Sequence, residues 1–102
     1  MAAVKVSSLQ ALQDQPLQRV TIAGKDILLV KLVDGVYAVS DQCTHGRVSL
    51  AQGHLEGDII CCPKHGGKFN VKTGKAVAFP AITKLPQYDV HVDGDDVYVT
   101  VE

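Results

Sequence analysis

Hydrophobic and polar residues alternate with a period of two at several places along this chain. Near the C-terminus, Val97, Val99 and Val101 alternate with Tyr98 and Thr100, and Val90 and Val92 alternate with Asp89 and His91. That period puts the valines of each run on one face, so "QYDVHV" (87–92) and "DDVYVTVE" (95–102) predict two half-buried strands. Asp93-Gly94 between them supplies a hairpin turn. The same grammar appears earlier. "LQRVTI" (17–22) and "KDILLVKLV" (25–33) flank a tight turn at Ala23-Gly24, and Asp34-Gly35 leads into "VYAVS" (36–40). One stretch, "SSLQALQDQ" (7–15), reads as a helix, with Ser7 or Ser8 as its cap and Pro16 as its stop.

Residues 41–76 break this rhythm. "DQCTHGRVSLAQGHLEGDIICCPKHGGKFNVKTGKA" holds all three cysteines, three of the four histidines and most of the glycines, with "GDIICC" as its clearest strand. The pattern predicts an all-β chain forming one domain over residues 1–102, a small antiparallel β-barrel or sandwich. Its base would come from about residues 1–40 and 70–102. A loop-rich, site-bearing subdomain would occupy about residues 41–69.

A domain of 102 residues buries somewhat over 60% of its unfolded surface, roughly, so a bound metal would add useful stability. The net charge of −1 leaves no basic footprint, which argues against a nucleic-acid partner. No apolar run approaches the roughly 18 residues that span a bilayer. "MAAVKVSSLQ" has one lysine and no continuous apolar core, unlike a secretory leader. The cysteine count is odd, and Cys61 and Cys62 are adjacent, so on a strand they point to opposite faces. A reducing cytoplasm is the expected compartment, where cysteines serve metals or redox chemistry more often than structural bridges.

The cysteines and histidines fall into two mixed arms: Cys43-x-His45, sixteen residues, then Cys62-x-x-His65. A glycine follows each histidine, Gly46 and Gly66, and allows the chain to turn back through positive φ. A mononuclear zinc ion accepts two cysteines and two histidines, although zinc sites more commonly segregate them onto separate arms. A [2Fe–2S] cluster with two thiolates on one iron and two imidazoles on the other calls for this mixed supply. A single Cys-x-His is often structural; two such arms, each with its trailing glycine, point to a metal.

Through "CTHG" and "CPKHGGKF" the chain resembles the Rieske iron–sulfur family from about Asp41 onward. "LEGDIICCP", "TGKA" and "YDVHVDGDDVYV" are similar to the small Rieske ferredoxins of bacterial aromatic-ring dioxygenase systems. The resemblance implies one [2Fe–2S] cluster, with Cys43 and Cys62 on the inner iron and His45 and His65 on the outer. Since the family pattern is Cys-Pro-x-His, Cys62 matches the ligand, and Cys61 is expected to be a buried, apolar passenger on the other face. The high-potential branch carries an extra cysteine in each loop; here Val48 and Lys64 stand in those places, so no bridge is expected. That branch also has serine and tyrosine hydroxyls where this chain has Gly67 and Phe69. Fewer hydrogen bonds to the cluster imply a low potential, and imidazole ligands imply one that falls as pH rises.

The resemblance further implies a one-electron carrier, not an enzyme in its own right, since such a cluster leaves no open coordination position. The chain has no GxGxxG nucleotide motif, and no mononuclear-iron domain is expected in its length. Its expected partners are an NAD(P)H-dependent flavin reductase and a terminal aromatic-ring oxygenase, each docking transiently. The alternative is the small Rieske-like subunit of an assimilatory nitrite reductase. Pro80 resembles the proline loop covering the family's cluster, though a strand-ending turn also accounts for it. Arg47, Lys64 and Lys68 are docking candidates, as are Glu56, Asp58, Asp93, Asp95 and Asp96, and the same charges also serve solubility and edge protection. His54 and His91 read as surface histidines.

Overall fold

The computed structural model describes residues 2–42, 48–63, 66–78 and 84–101. It begins with β1 (Ala2–Ser8) and a short helix, α1 (Leu9–Asp14). The Ser8 hydroxyl caps the helix by accepting the Ala11 N–H at 3.1 Å, as its sequence signals predict. β1 goes beyond the sequence pattern. Val4 and Val6 alternate with Lys5 and Ser7, but the run is short, and pairing with β10 along its length makes it a strand.

β2 (Leu17–Ile22), β3 (Lys25–Leu32) and β4 (Gly35–Ser40) form a meander. Ala23 and Gly24 both have positive φ, 51° and 78°, as a two-residue hairpin turn of the favoured hand requires. The next turn falls one residue earlier than the Asp34-Gly35 pair suggests. Leu32 is buried and pairs with Gly35, which leaves Val33 in the loop and fully exposed.

A single 3-10 turn (Leu50–Gln52) then precedes four short strands: β5 (His54–Glu56), β6 (Ile59–Cys61), β7 (Lys68–Asn70) and β8 (Ala76–Ala78). β9 (Gln87–Asp93) and β10 (Asp96–Val101) close the chain as the expected hairpin.

Two antiparallel sheets result. The larger runs β1-β10-β9-β4-β3-β2, and the smaller runs β5-β6-β7-β8. In the larger sheet the edge strands approach each other, and the Ser7 hydroxyl donates to Gln18 Oε1 at 2.8 Å across the seam. The sheet is thus a nearly closed barrel, the all-β antiparallel architecture expected from the sequence.

β3 explains how the two sheets share one chain. Ile27, Leu28, Leu29 and Val30 are all buried, so both faces of this strand are covered. Ile27 and Leu29 face the barrel interior with Leu12, Ala38, Val97 and Val99. Leu28, Val30 and Leu32 face the other way, against Leu50, Ile60, Phe69, Val71 and Leu85. A continuous apolar run has this meaning: each face of the strand carries a different core. At the periphery, Lys72 Nζ reaches Asp34 at 2.7 Å and Asp58 at 3.6 Å, tying the β3–β4 turn to the smaller sheet. The Lys72 hydrogen bond holds the Asp34 carboxyl below its ordinary value. No helix among the described residues is long and apolar enough to cross a membrane.

Candidate metal centre

The second arm springs from the end of β6. The Cys62 N–H donates to the Gly67 carbonyl at 2.7 Å, which closes the segment between them into a tight loop. Gly66 has φ +73°, the left-handed conformation expected for the glycine after the histidine. Cys62 itself is buried in the apolar cluster with Leu50, Ile60 and Phe69. Lys64 and His65, inside this loop, lie outside the described residues.

The first arm leaves the end of β4 and is also pinched at its base. Gln42 and Ser49 form an isolated antiparallel bridge, and the Leu50 N–H donates to the Asp41 carbonyl at 2.7 Å. Asp41 organises this base. It is the one buried charged residue among those described, at 2% exposure. Its carboxylate accepts from the Ser49 hydroxyl at 2.5 Å and the Ala51 N–H at 2.9 Å, and meets Arg19 Nε at 3.4 Å. Its own N–H donates to the Asp26 carbonyl at 3.0 Å, which anchors the arm to β3. Asp26 in turn is held below its ordinary pKa, first by the Thr21 hydroxyl and then by Arg19. Cys43 and His45, like Gly46 and Arg47, fall outside the described residues.

The bases of the two arms are held side by side. Leu50 and Cys62 share one cluster, and Val48 packs against it. Gly53 sits so close to β6 that an added Cβ would lie 1.9 Å from the Cys61 carbonyl oxygen, so any side chain there would push the arms apart. Two arms pinched at their bases and held side by side suit a centre bound between them. Of the four expected ligands the structure describes Cys62, and its setting fits: a buried thiol whose own N–H donates to the Gly67 carbonyl at the base of the arm.

The adjacent cysteines face opposite ways, as strand geometry demands. Cys62 points into the core, whereas Cys61 belongs to neither apolar cluster. The expectation of an apolar setting for Cys61 needs correction. Although it is buried, its thiol lies 3.4 Å from Glu56 Oε2, and His54 Nε2 lies 3.0 Å from the same oxygen. Burial, with Glu56 beside it, pushes the Cys61 thiol up, and such a thiol stays protonated. His54, Glu56 and Lys68 hold Cys61 on a polar sheet face that sequence reasoning did not find. The signal was present: His54 and Glu56 lie two apart on one strand, so they share a face.

The remaining candidates fall into place around this frame. Phe69, at a position where the high-potential branch has a hydroxyl, is fully buried core, and Gly67 accepts the loop-closing bond. Lys68 Nζ approaches Glu56 at 3.8 Å. Asp95 accepts the Gln10 N–H at 3.2 Å, and Asp96 pairs with Lys5 at 3.1 Å, so two of the acidic candidates brace β1 and α1. His91 is exposed and lies across the hairpin from Tyr98, with ring centroids 6.2 Å apart. Pro80 lies outside the described residues.

Known proteins share this frame. A family model described as Rieske [2Fe-2S] domain matches residues 2–89. Ferredoxin CarAc of Metapseudomonas resinovorans is 42% identical over 100 residues, covering 97% of this chain and 94% of that one. The ferredoxin of carbazole 1,9a-dioxygenase from Nocardioides aromaticivorans IC177 superposes with a TM-score of 0.93 at 32% identity, over the whole of both chains. A chain from the complex of reduced oxygenase and oxidised ferredoxin in carbazole 1,9a-dioxygenase matches with a TM-score of 0.90 at 39% identity, over 95% of this chain and 91% of that one.

Proposed function

Because this chain belongs to the Rieske [2Fe-2S] domain family, and so carries one [2Fe–2S] cluster, we propose that it is a one-electron carrier of an aromatic-ring dioxygenase system. It receives electrons from an NAD(P)H-dependent flavin reductase and delivers them to a terminal oxygenase, working in the cytoplasm. It is an electron-transfer component and not a catalyst. What supports this above all is likeness over 95% of the chain to a partner in an oxygenase–ferredoxin complex.

Cys43 and Cys62 would hold one iron through sulfur, and His45 and His65 would hold the other through ring nitrogens. When bound, the cluster takes up and releases one electron without opening a coordination position. The chain's own part is rigidity. The Cys62–Gly67 bond and the Asp41 anchor hold the bases of both arms in place. Docking to either partner is brief and uses a small interface.

The test is reconstitution. Purified protein should be reduced by one electron per chain by an NAD(P)H-dependent flavin reductase. It should be reoxidised when a terminal oxygenase, its aromatic substrate and oxygen are added, with ring oxidation following. Failure of reoxidation would refute the assignment, as would purification in a stable complex with a large sirohaem subunit, the mark of a nitrite reductase. A colourless protein with one zinc and no labile sulfide would refute the cluster itself.

The potential is expected near the low end of the Rieske range, about −150 mV, and lower still as pH rises. With Gly67 and Phe69 where hydroxyls would stand, no hydroxyl from those positions stabilises the electron added on reduction. Protein-film voltammetry checks this, and a clearly positive value at neutral pH would contradict the hydroxyl argument.

A further inference from the structure

The outer face of the smaller sheet carries a group of donors that electron transfer does not use. His54 and Cys61 are directly paired across β5 and β6, and Glu56 lies two residues from His54 on the same face. One ligand atom from each of the three lies within 4.8 Å of the others. The opposite face of this sheet presents Leu55, Ile60 and Phe69 to the core. Cys61 is therefore turned away from the side that receives Cys62. It is nevertheless buried, at 3% exposure, on a face where His54 and Glu56 are exposed.

We propose that His54, Glu56 and Cys61 form a second metal site, separate from the cluster, for a borderline-soft divalent cation of the zinc type. The donor set is one thiolate, one imidazole and one carboxylate, all accepted by zinc, with a fourth position left to water. The geometry is close to what such an ion needs. Zinc bonds of about 2.0–2.3 Å in a tetrahedron place neighbouring donors about 3.3–3.6 Å apart. The observed separations are 3.0 Å from His54 Nε2 to Glu56 Oε2 and 3.4 Å from Cys61 Sγ to the same oxygen. The third side, from His54 to Cys61, lies within 4.8 Å, so movements of up to about an ångström in the two exposed side chains complete the triangle.

Binding is a ligand exchange with no redox change. The ion replaces the thiol proton of Cys61, which leaves to solvent, and His54 presents its Nε2 lone pair with its proton on Nδ1. Lys68 engages Glu56 through the other carboxylate oxygen, Oε1, at 3.8 Å, so Oε2 remains available and the ammonium balances part of the carboxylate charge. Hard cations are poorly served. Calcium and magnesium require six or more oxygen donors, and here two of the three ligands are sulfur and nitrogen.

The experiment uses the cluster-bearing protein, desalted from a mild chelator, with its visible spectrum recorded throughout. Zn²⁺ is titrated by calorimetry with metal counts per chain, and Cd²⁺ by its ultraviolet thiolate charge-transfer band. The expected result is one Zn²⁺ or Cd²⁺ per chain beyond the iron, with the cluster spectrum unchanged and no competition from excess Mg²⁺. Affinity should fall roughly a hundredfold or more in Cys61→Ser and His54→Ala, because even the partners of metal ligands are worth about 10- to 100-fold. Glu56→Gln should weaken binding while keeping the cadmium–thiolate band. His54 and Glu56 are exposed, so their variants report on the site even if Cys61→Ser folds poorly. Absence of binding beyond the iron would overturn the proposal. So would binding unaffected by His54→Ala and Cys61→Ser, or uptake that bleaches the cluster.

Discussion

Replacing Cys62 by serine is expected to give a colourless protein without labile sulfide, whereas replacing its neighbour Cys61 by serine is expected to leave the cluster spectrum intact. A single peptide bond joins the two residues, and the opposite directions of their side chains separate the outcomes. Cys62 turns into the cluster of Leu50, Ile60 and Phe69, at the neck of a loop closed by its own N–H. Its thiolate is a soft donor that iron accepts at neutral pH. A serine hydroxyl there is a hard donor that does not ionise in that range. Cys61 turns the other way, and a serine in its place keeps the hydrogen bond to Glu56 as an O–H donor. The change removes a weak sulfur contact and costs within about 1 kcal/mol. Iron and sulfide per chain, with the visible spectrum, check both variants. Loss of iron in Cys61→Ser with retention in Cys62→Ser would reverse the ligand assignment.

Much of the barrel could be read from the chain because its signals are local. Alternating valines at 90, 97 and 99 and the turn at Gly94 suffice to build the β9–β10 hairpin. Val92 belongs to the same alternation yet is 39% exposed, since β4 pairs with β9 only at Gln87 and Tyr88 and leaves its turn end without a neighbour on that side. Of the smaller sheet only β6 was legible, in "GDIICC", and the other three strands were not, for a physical reason. β5, β7 and β8 have three residues each, too few to establish any period. Its buried face is one residue from each of three strands, Leu55, Ile60 and Phe69, and only pairing brings them together. Of the metal centre, spacing revealed the mixed arms and the need for Gly66. It did not reveal Asp41, whose partners stand at positions 19, 26, 49 and 51 and become neighbours only once β2, β3 and the first arm have folded.

That anchor carries the second large effect. Asp41→Ala is expected to lower stability by about 2–3 kcal/mol and to reduce the iron bound per chain. The carboxylate is buried and accepts two hydrogen bonds, from Ser49 and Ala51, besides facing Arg19. Hydrogen bonds to a charged group contribute about 1.5–3 kcal/mol, and deletion leaves the donors without partners. Loss of a buried ionic partner costs up to about 3–5 kcal/mol, but Arg19 is half exposed and regains water, which keeps the figure lower. For a domain of this size the melting temperature should drop by roughly 10–20 °C. The ion pair and the hydrogen bonds can be separated. Arg19→Ala removes the solvent-screened partner of Asp41 together with the exposed pair to Asp26, and should cost about 1 kcal/mol or less. Asp41→Asn retains an acceptor for the Ala51 N–H and should fall between the two. If the anchor acts as inferred, iron content should follow the same order, because Asp41 stands two residues before Cys43 and fixes the neck from which that ligand is presented. An Asp41→Ala protein that melts with the parent and keeps its full iron would show that the first arm is held by the Gln42–Ser49 bridge and its apolar contacts alone.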